Sequence, residues 1–338
     1  MVRFLAALLL FAVAVGVRAE PATRIQYAEA VSIKAAVGSV SFDAYGRRFD
    51  MQLTRNERIL SKLSQQRKAE LARSQILRGS LVGQPHSWVR LTEFDGRVEG
   101  AIWDGRDFYA VTSLENIAPY LTTPIPGVPT QTVVYRLSDT INAFPKNFCA
   151  DAQIAVGKMT NGLDQYRHMV AELASNAASS ATIPLEIEIS LIADASFQNQ
   201  YGSYSTQLLL ARHNVADGVY AEQVQLLVLP SDVRMAPASP DPFTSTDPNT
   251  LLGQLSTFRQ NNSTVSALGL AHLVTGRYLD GTTVGIARIN GVCSVADGVS
   301  LSEASSLIAL DGLIMAHELG HNFGAVHDGT GVCASTYP

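Results

Sequence analysis

The chain has 338 residues, 46% hydrophobic and 16% charged, with a net charge of −5. That is ample core material for two globular domains and excludes a disordered chain. No lysine/arginine block stands out, so neither nucleic acid nor an anionic membrane surface is expected as a partner.

At the start, Arg3 precedes the apolar run FLAALLLFAVAVGV, and Val17 and Ala19 satisfy the small-residue rule before a cleavage point. Residues 1–19 therefore read as a signal peptide cut after Ala19. The run is short for a membrane span, and no later stretch is long and apolar enough for one, so no stable anchor is expected. Export makes thiol pairing or metal binding the expected fate of Cys149, Cys293 and Cys333, and an odd count leaves one needing its own explanation.

Residues 40–60 alternate apolar and polar side chains, and residues 57–75 have the composition of a surface helix. Two Asp-Gly pairs, Asp95-Gly96 and Asp104-Gly105, then separate short alternating runs, which predicts a β-meander with tight turns. His86, Asp95 and Asp104 read there as turn and surface residues. The segment AELASNAASSATIP, residues 171–184, reads as a linker.

Beyond the linker, LEIEISLIAD predicts a strand and STQLLLARHNVADGVYAEQ an amphipathic helix with Gly218 as a soft spot. VQLLVLP has the continuous apolar character of a central strand, followed by a loop over 230–248. A short helix near NTLLGQLSTFRQ, strands at AHLVTG and TVGIARI, and a long helix over 302–322 complete an α/β order.

Three of the seven histidines fall in AHELGHNFGAVHD, residues 316–328. His317 and His321 are four apart, hence on one face of a helix, one turn apart. Glu318 lies at the edge of that face. Gly324 is placed to end the helix in a left-handed conformation, so that the chain swings back and delivers His327. Three imidazoles with one open position suit one catalytic Zn2+ per chain, whose water Glu318 would deprotonate. An exposed histidine-rich helix end is the plain alternative. The pattern H-E-x-x-H-x-x-G-x-x-H is the metzincin signature.

With Asn322, Phe323 and Asp328 added, the segment resembles the zinc motif of the adamalysin/reprolysin metalloendopeptidases. LEIEISLIADASFQNQYG, NVADGVY, AHLVTG and GTTVGIARINGVC resemble the family's catalytic domain. FDAYGRRFDMQL, GSLVGQPHSWVRL and GRVEGAIWDG resemble its propeptide. The resemblance implies a metzincin-like α/β domain over 184–338, a mixed twisted sheet with a long zinc-binding helix. A β-rich propeptide domain over 20–183 would precede it. It further implies a secreted zinc metalloendopeptidase acting on proteins or peptides, with zinc ligands His317, His321 and His327 and catalytic Glu318.

Gly285, Ile286 and Ala287 would form the strand that pairs with substrate, an ordinary core or edge strand being the other reading. Cys149, in FPKNFC, would be a cysteine switch, although two residues separate Lys146 from it where the family has one; a structural or disulfide role stays open. Two functional alternatives also stay open: a secreted metal-binding adhesion module without turnover, and a zinc hydrolase of a non-peptide amide. Three departures stand out. Eleven residues follow His327 and none is methionine, which predicts a reading frame continuing into a methionine turn and at least two cysteines. Cys293 and Cys333 lack the family's downstream partners. Glu188 matches a Ca2+ ligand of the family, but Gly269 stands where aspartate is expected.

Overall fold

The computed structural model describes residues 23–141, Cys149, Arg167 and residues 185–327. The signal-peptide segment, the linker 171–184, Asp328 and Cys333 lie outside these residues. In chain order the strands are β1 (Arg24–Ile25), β2 (Glu29–Ala30), β3 (Gly38–Ala44), β4 (Arg47–Arg55), β5 (Gln75–Leu81), β6 (Trp88–Phe94), β7 (Arg97–Trp103) and β8 (Phe108–Ser113). They continue with β9 (Thr132–Arg136), β10 (Thr140–Ile141), β11 (Leu185–Ala193), β12 (Leu226–Met235), β13 (Leu270–Thr275), β14 (Gly285–Ala287) and β15 (Val299–Glu303).

An antiparallel eight-stranded sheet, in the order β2-β9-β8-β7-β6-β5-β4-β3, forms the N-terminal unit. Its turns fall at the expected dipeptides: Asp95 and Gly96 take φ +47° and +77° between β6 and β7, and Gly105 takes φ +91° before β8. The C-terminal unit is a five-stranded sheet, β12-β11-β13-β15-β14, parallel except for β14 at one edge.

Two helices lie between the sheets: the central helix, Ser205–Val219, and the site helix, Ile308–Asn322. One apolar core runs through this layer, joining Trp88, Phe94 and Phe108 of the N-terminal sheet to Leu209, Val215, Leu313 and Leu319. A separate core, with Phe243, Leu251, Leu255, Leu273 and Leu301, fills the far face of the smaller sheet beneath the helix Pro248–Gln260.

Five sequence expectations need correction. The central helix is not amphipathic: all but one of its fifteen residues are buried, because sheets cover it on two sides. Gly218 is not a soft spot, since a Cβ there would lie 2.6 Å from the ring of Trp88. The strand read as central, β12, stands at the sheet edge; a turn of the N-terminal unit covers it, with Arg67 Nε donating to the Val233 carbonyl at 2.8 Å. Residues 302–322 are not one helix, because Val299–Glu303 pairs in parallel with β13 and the helix starts at Ile308. Likewise 57–75 breaks into Glu57–Ser61 and Gln65–Glu70, where Ser64 caps the second piece by accepting from Arg67 N.

β15 also accounts for His272 on β13. Its Nδ1 lies 2.8 Å from Ser300 Oγ and its Nε2 3.0 Å from Ser302 Oγ, and the ring is fully buried. Burial, helped by neighbouring His213, pulls its pKa down to about 3. An unfolded histidine titrates near 6.5. The stabilisation is therefore complete above pH 6.5 and is lost as pH falls toward 3. At pH 5 the loss is about 2 kcal/mol. Denaturant unfolding between pH 7 and 5 should include this slope, and His272→Gln should reduce it, with His213 and the other buried histidines supplying the rest; an unchanged slope would reject the assignment.

Candidate metal centre

The site begins with how its helix is seated. Asp311, in the first turn, accepts from Ser305 N at 2.9 Å and Ser305 Oγ at 2.6 Å, and pairs with buried Arg212 of the central helix at 2.9 Å. Gly312 lets the two helices touch: a Cβ there would fall 2.6 Å from Val215 Cβ. Tyr220 Oη donates to the Ala316 carbonyl at 2.7 Å, one residue before His317. At the other end Asn322 Nδ2 donates to the carbonyls of Arg288 and Val299 at 2.8 and 3.0 Å, tying the helix to the β14–β15 region.

Gly324 then stops the helix with φ +94°. Gly324 N donates to His321 O at 2.9 Å and Ala325 N to Gly320 O at 3.0 Å, the paired bonds of a Schellman motif. This turn does two things. It returns the chain so that His327 Nε2 lies 3.0 Å from His317 Nε2. It also presents the Ala325 carbonyl 2.8 Å from His321 Nδ1. A carbonyl only accepts, so Nδ1 carries the proton and a neutral His321 turns its Nε2 lone pair inward, 2.9 Å from His317 Nε2.

Cys149 completes the group. Its Sγ lies 3.4 Å from His321 Nε2 and 3.6 Å from Glu318 Oε2, and its backbone forms a parallel bridge with Gly285. The donor atoms of Cys149, His317, His321 and His327 all lie within 4.8 Å of one another, and all four residues are buried. Burial, together with the other imidazoles, holds His317 well below its ordinary pKa and His327 at about 3. Buried ring nitrogens converging on a point beside a thiol are a donor set for one soft-to-borderline cation, at the coordination number zinc favours. A cation there gives the facing lone pairs a common acceptor.

Glu318 is fully buried beside this group. Its neighbour is Gly285 on β14, where a Cβ would meet Glu318 Oε1 at 2.4 Å. Gly285, Ile286 and Ala287 form the edge strand, pairing antiparallel with Ser302, Leu301 and Ser300 of β15. Of the other sequence candidates, Glu188 meets Lys62 Nζ at 2.9 Å, so a cation of the chain itself occupies the carboxylate marked as a Ca2+ ligand. Cys293 is exposed, forms no disulfide among the described residues and adopts φ +63°. The sequence did not reveal the parts played by Ala325, Tyr220 and Asn322. Ala325 was the accessible one, since a histidine four residues before a post-helical turn is within reach of that turn's carbonyls.

A mixed α/β unit holding a histidine-rich donor set on a helix beside an edge strand defines a metallopeptidase-type domain. Residues 211–328 match the metallo-peptidase family M12B, reprolysin-like. The chain is 41% identical over 68 residues to mouse disintegrin and metalloproteinase domain-containing protein 19, a match of 20% of this chain and 7% of that one. It is 47% identical over 60 residues to a zinc metalloproteinase/disintegrin of Bitis gabonica, 18% of each chain. With snake venom metalloproteinase TM-1 of Protobothrops mucrosquamatus it shares 43% over 65 residues, 19% of this chain and 32% of the relative. Through this region the chain resembles the reprolysin-like family M12B, and it spans less than a third of the length of each of these relatives in the match.

Proposed function

We propose that the chain is the latent precursor of a secreted zinc metalloendopeptidase, with residues 20–183 as propeptide and 184–338 as the catalytic domain. The observation that carries this reading is the convergence of three buried histidines with Glu318 at their side and Cys149 against both. His317, His321 and His327 would hold the metal. Zinc supplies Lewis acidity there, polarising a carbonyl and making water acidic near neutral pH. Glu318 takes the proton from the attacking water as the C–O bond forms, then gives it to the amide nitrogen as the C–N bond breaks. Once Cys149 leaves it, the outer edge of β14 offers backbone groups to an extended substrate, which favours peptides over other amides.

Cys149 supports latency. Its thiolate is a good ligand for zinc and occupies the place from which water would attack. Its parallel bridge with Gly285 sets Cys149 on the same edge that substrate would use. Secretion rests on residues 1–19; no helix among the described residues is long and apolar enough to cross a membrane.

The test uses the full chain. It should carry one zinc by elemental analysis, leave peptides intact, and protect Cys149 from alkylation until the zinc is chelated. Removing the N-terminal unit should release a peptidase that a chelator silences and added zinc restores. Zinc at unit stoichiometry in the chain freed of its N-terminal unit, with no hydrolysis across a broad peptide panel, would favour the adhesion-module reading instead. A Cys149→Ala chain that stays latent would remove the thiol switch while sparing the protease.

A further inference from the structure

The tripeptide Asn-x-Ser/Thr, with no proline between, occurs in this chain only as the overlapping pair Asn261-Asn262-Ser263 and Asn262-Ser263-Thr264. It is the acceptor pattern for an N-linked glycan in an exported protein, and a group so bulky and hydrophilic needs a surface position. The pair falls in the turn between the helix Pro248–Gln260 and the short helix Ser263–Ser266. Gln260, Asn261, Ser263 and Thr264 are exposed there, and Asn262 is half-buried.

The backbone of the turn is fixed, which gives each asparagine a settled place. Asn261 closes the first helix at φ −89° and ψ 0°, and its N–H donates to the Thr257 carbonyl at 3.1 Å. Asn262 is extended, at φ −122° and ψ 106°, and opens the second helix. Its Oδ1 accepts from Val265 N at 3.2 Å, and its carbonyl accepts from Ser266 N at 2.9 Å. The Asn262 amide is thus held by a capping bond. The Asn261 amide makes no hydrogen bond among the described residues and is open to solvent.

The turn is anchored from inside. Buried Arg259 donates Nη2 to the carbonyls of Leu268 and Gly269 at 2.6 and 3.2 Å, and Val265 sits in the core on the far face of the smaller sheet. The exposed side chains carry none of this packing, so a sugar on them displaces nothing. The turn also belongs to the layer away from the central and site helices.

We propose that this turn carries one N-linked glycan, with Asn261 as its acceptor. Asn261 Nδ2 attacks C1 of the first sugar of a lipid-pyrophosphate-linked oligosaccharide. The C1–N bond forms as the C1–O bond to the pyrophosphate breaks. The amide passes one of its two protons to a base of the host transferase, and the lipid pyrophosphate leaves. Ser263 supplies the hydroxyl that the pattern requires two residues on. The two acceptors are adjacent, so a glycan on the first crowds out the second. The folded chain accommodates it best on Asn261, because the neighbouring amide is half-buried and turned to its cap. The inference rests on the export read from residues 1–19, not on peptidase activity.

The experiment expresses the full chain in a eukaryotic secretory host, once with its own residues 1–19 and once with a host export signal ahead of Glu20. Cells and medium are examined together. A peptide N-glycanase in heavy-oxygen water should shift the band by one glycan. It should also leave heavy oxygen on residue 261 of the tryptic peptide Gln260–Arg277. Ser263→Ala combined with Thr264→Ala removes both hydroxyls while keeping both asparagines and the capping bond, and should abolish the shift. If only the host-signal chain is modified, the reading of residues 1–19 fails and the glycan site stands. A host-signal chain with no shift, or heavy oxygen on residue 262, would overturn the proposal.

Discussion

Glu318→Gln is expected to lower peptidase kcat by about a thousandfold, the scale of a lost general base. That corresponds to about 4 kcal/mol in the barrier. Glutamine keeps the shape and volume of the side chain, so the close contact with Gly285 survives and the three histidines keep their places. Zinc content and thermal stability should stay at parental values. KM should change little, because the lost interaction belongs to proton transfer rather than to substrate binding. The measurement is steady-state hydrolysis by the activated chain, with zinc assayed on the same sample. An active glutamine variant with one zinc would end the assignment of Glu318 as base.

The clustering of the candidate donor residues was more legible in the sequence than the fold around it, for a physical reason. These donors depend on local geometry: the four-residue offset of His317 and His321, one glycine at positive φ, and a short return to His327. Those relations are short-range and leave a trace in spacing. The Schellman turn at Gly324 turned out to do more than end the helix, because the carbonyl it exposes selects the tautomer of His321.

The central helix illustrates the opposite case. Its sequence carries Arg212, His213, Asn214 and Asp217, which look like a solvated stripe. All four are buried. Their partners are remote in the chain: Asp311 for Arg212, Val228 for His213, and Asn56, Arg58 and Arg90 for Asn214 and Asp217. No periodicity can report partners that lie 15 to 159 residues away. The strand Val299–Glu303 was within reach, since V-S-L-S-E alternates with period two, and Ser300 and Ser302 face the ring of His272. Its apolar continuation into the site helix hid the boundary.

Gly285→Ala carries the other large expected effect, and it separates two ways in which β14 serves the site. The backbone of Gly285 is not at positive φ, so alanine meets no conformational penalty there. The obstruction is the side chain of Glu318, with Oε1, Cδ and Cγ at 2.4, 2.7 and 2.8 Å from the added Cβ. A flexible carboxylate yields more easily than backbone, so the protein should fold and bind zinc normally while Glu318 is pushed off its position. Displacing a reacting group by about 1 Å costs about a hundredfold in rate. The expected result is therefore a kcat lowered about a hundredfold with KM within a few-fold of the parent. If Gly285 instead matters only as a rung of the substrate strand, KM should rise while kcat holds. Ala287→Gly supplies the comparison on the same strand: it leaves Glu318 untouched and should leave kcat near the parental value. Equal activity of Gly285→Ala and the parent would show that the absent side chain at this position does not set the place of the base.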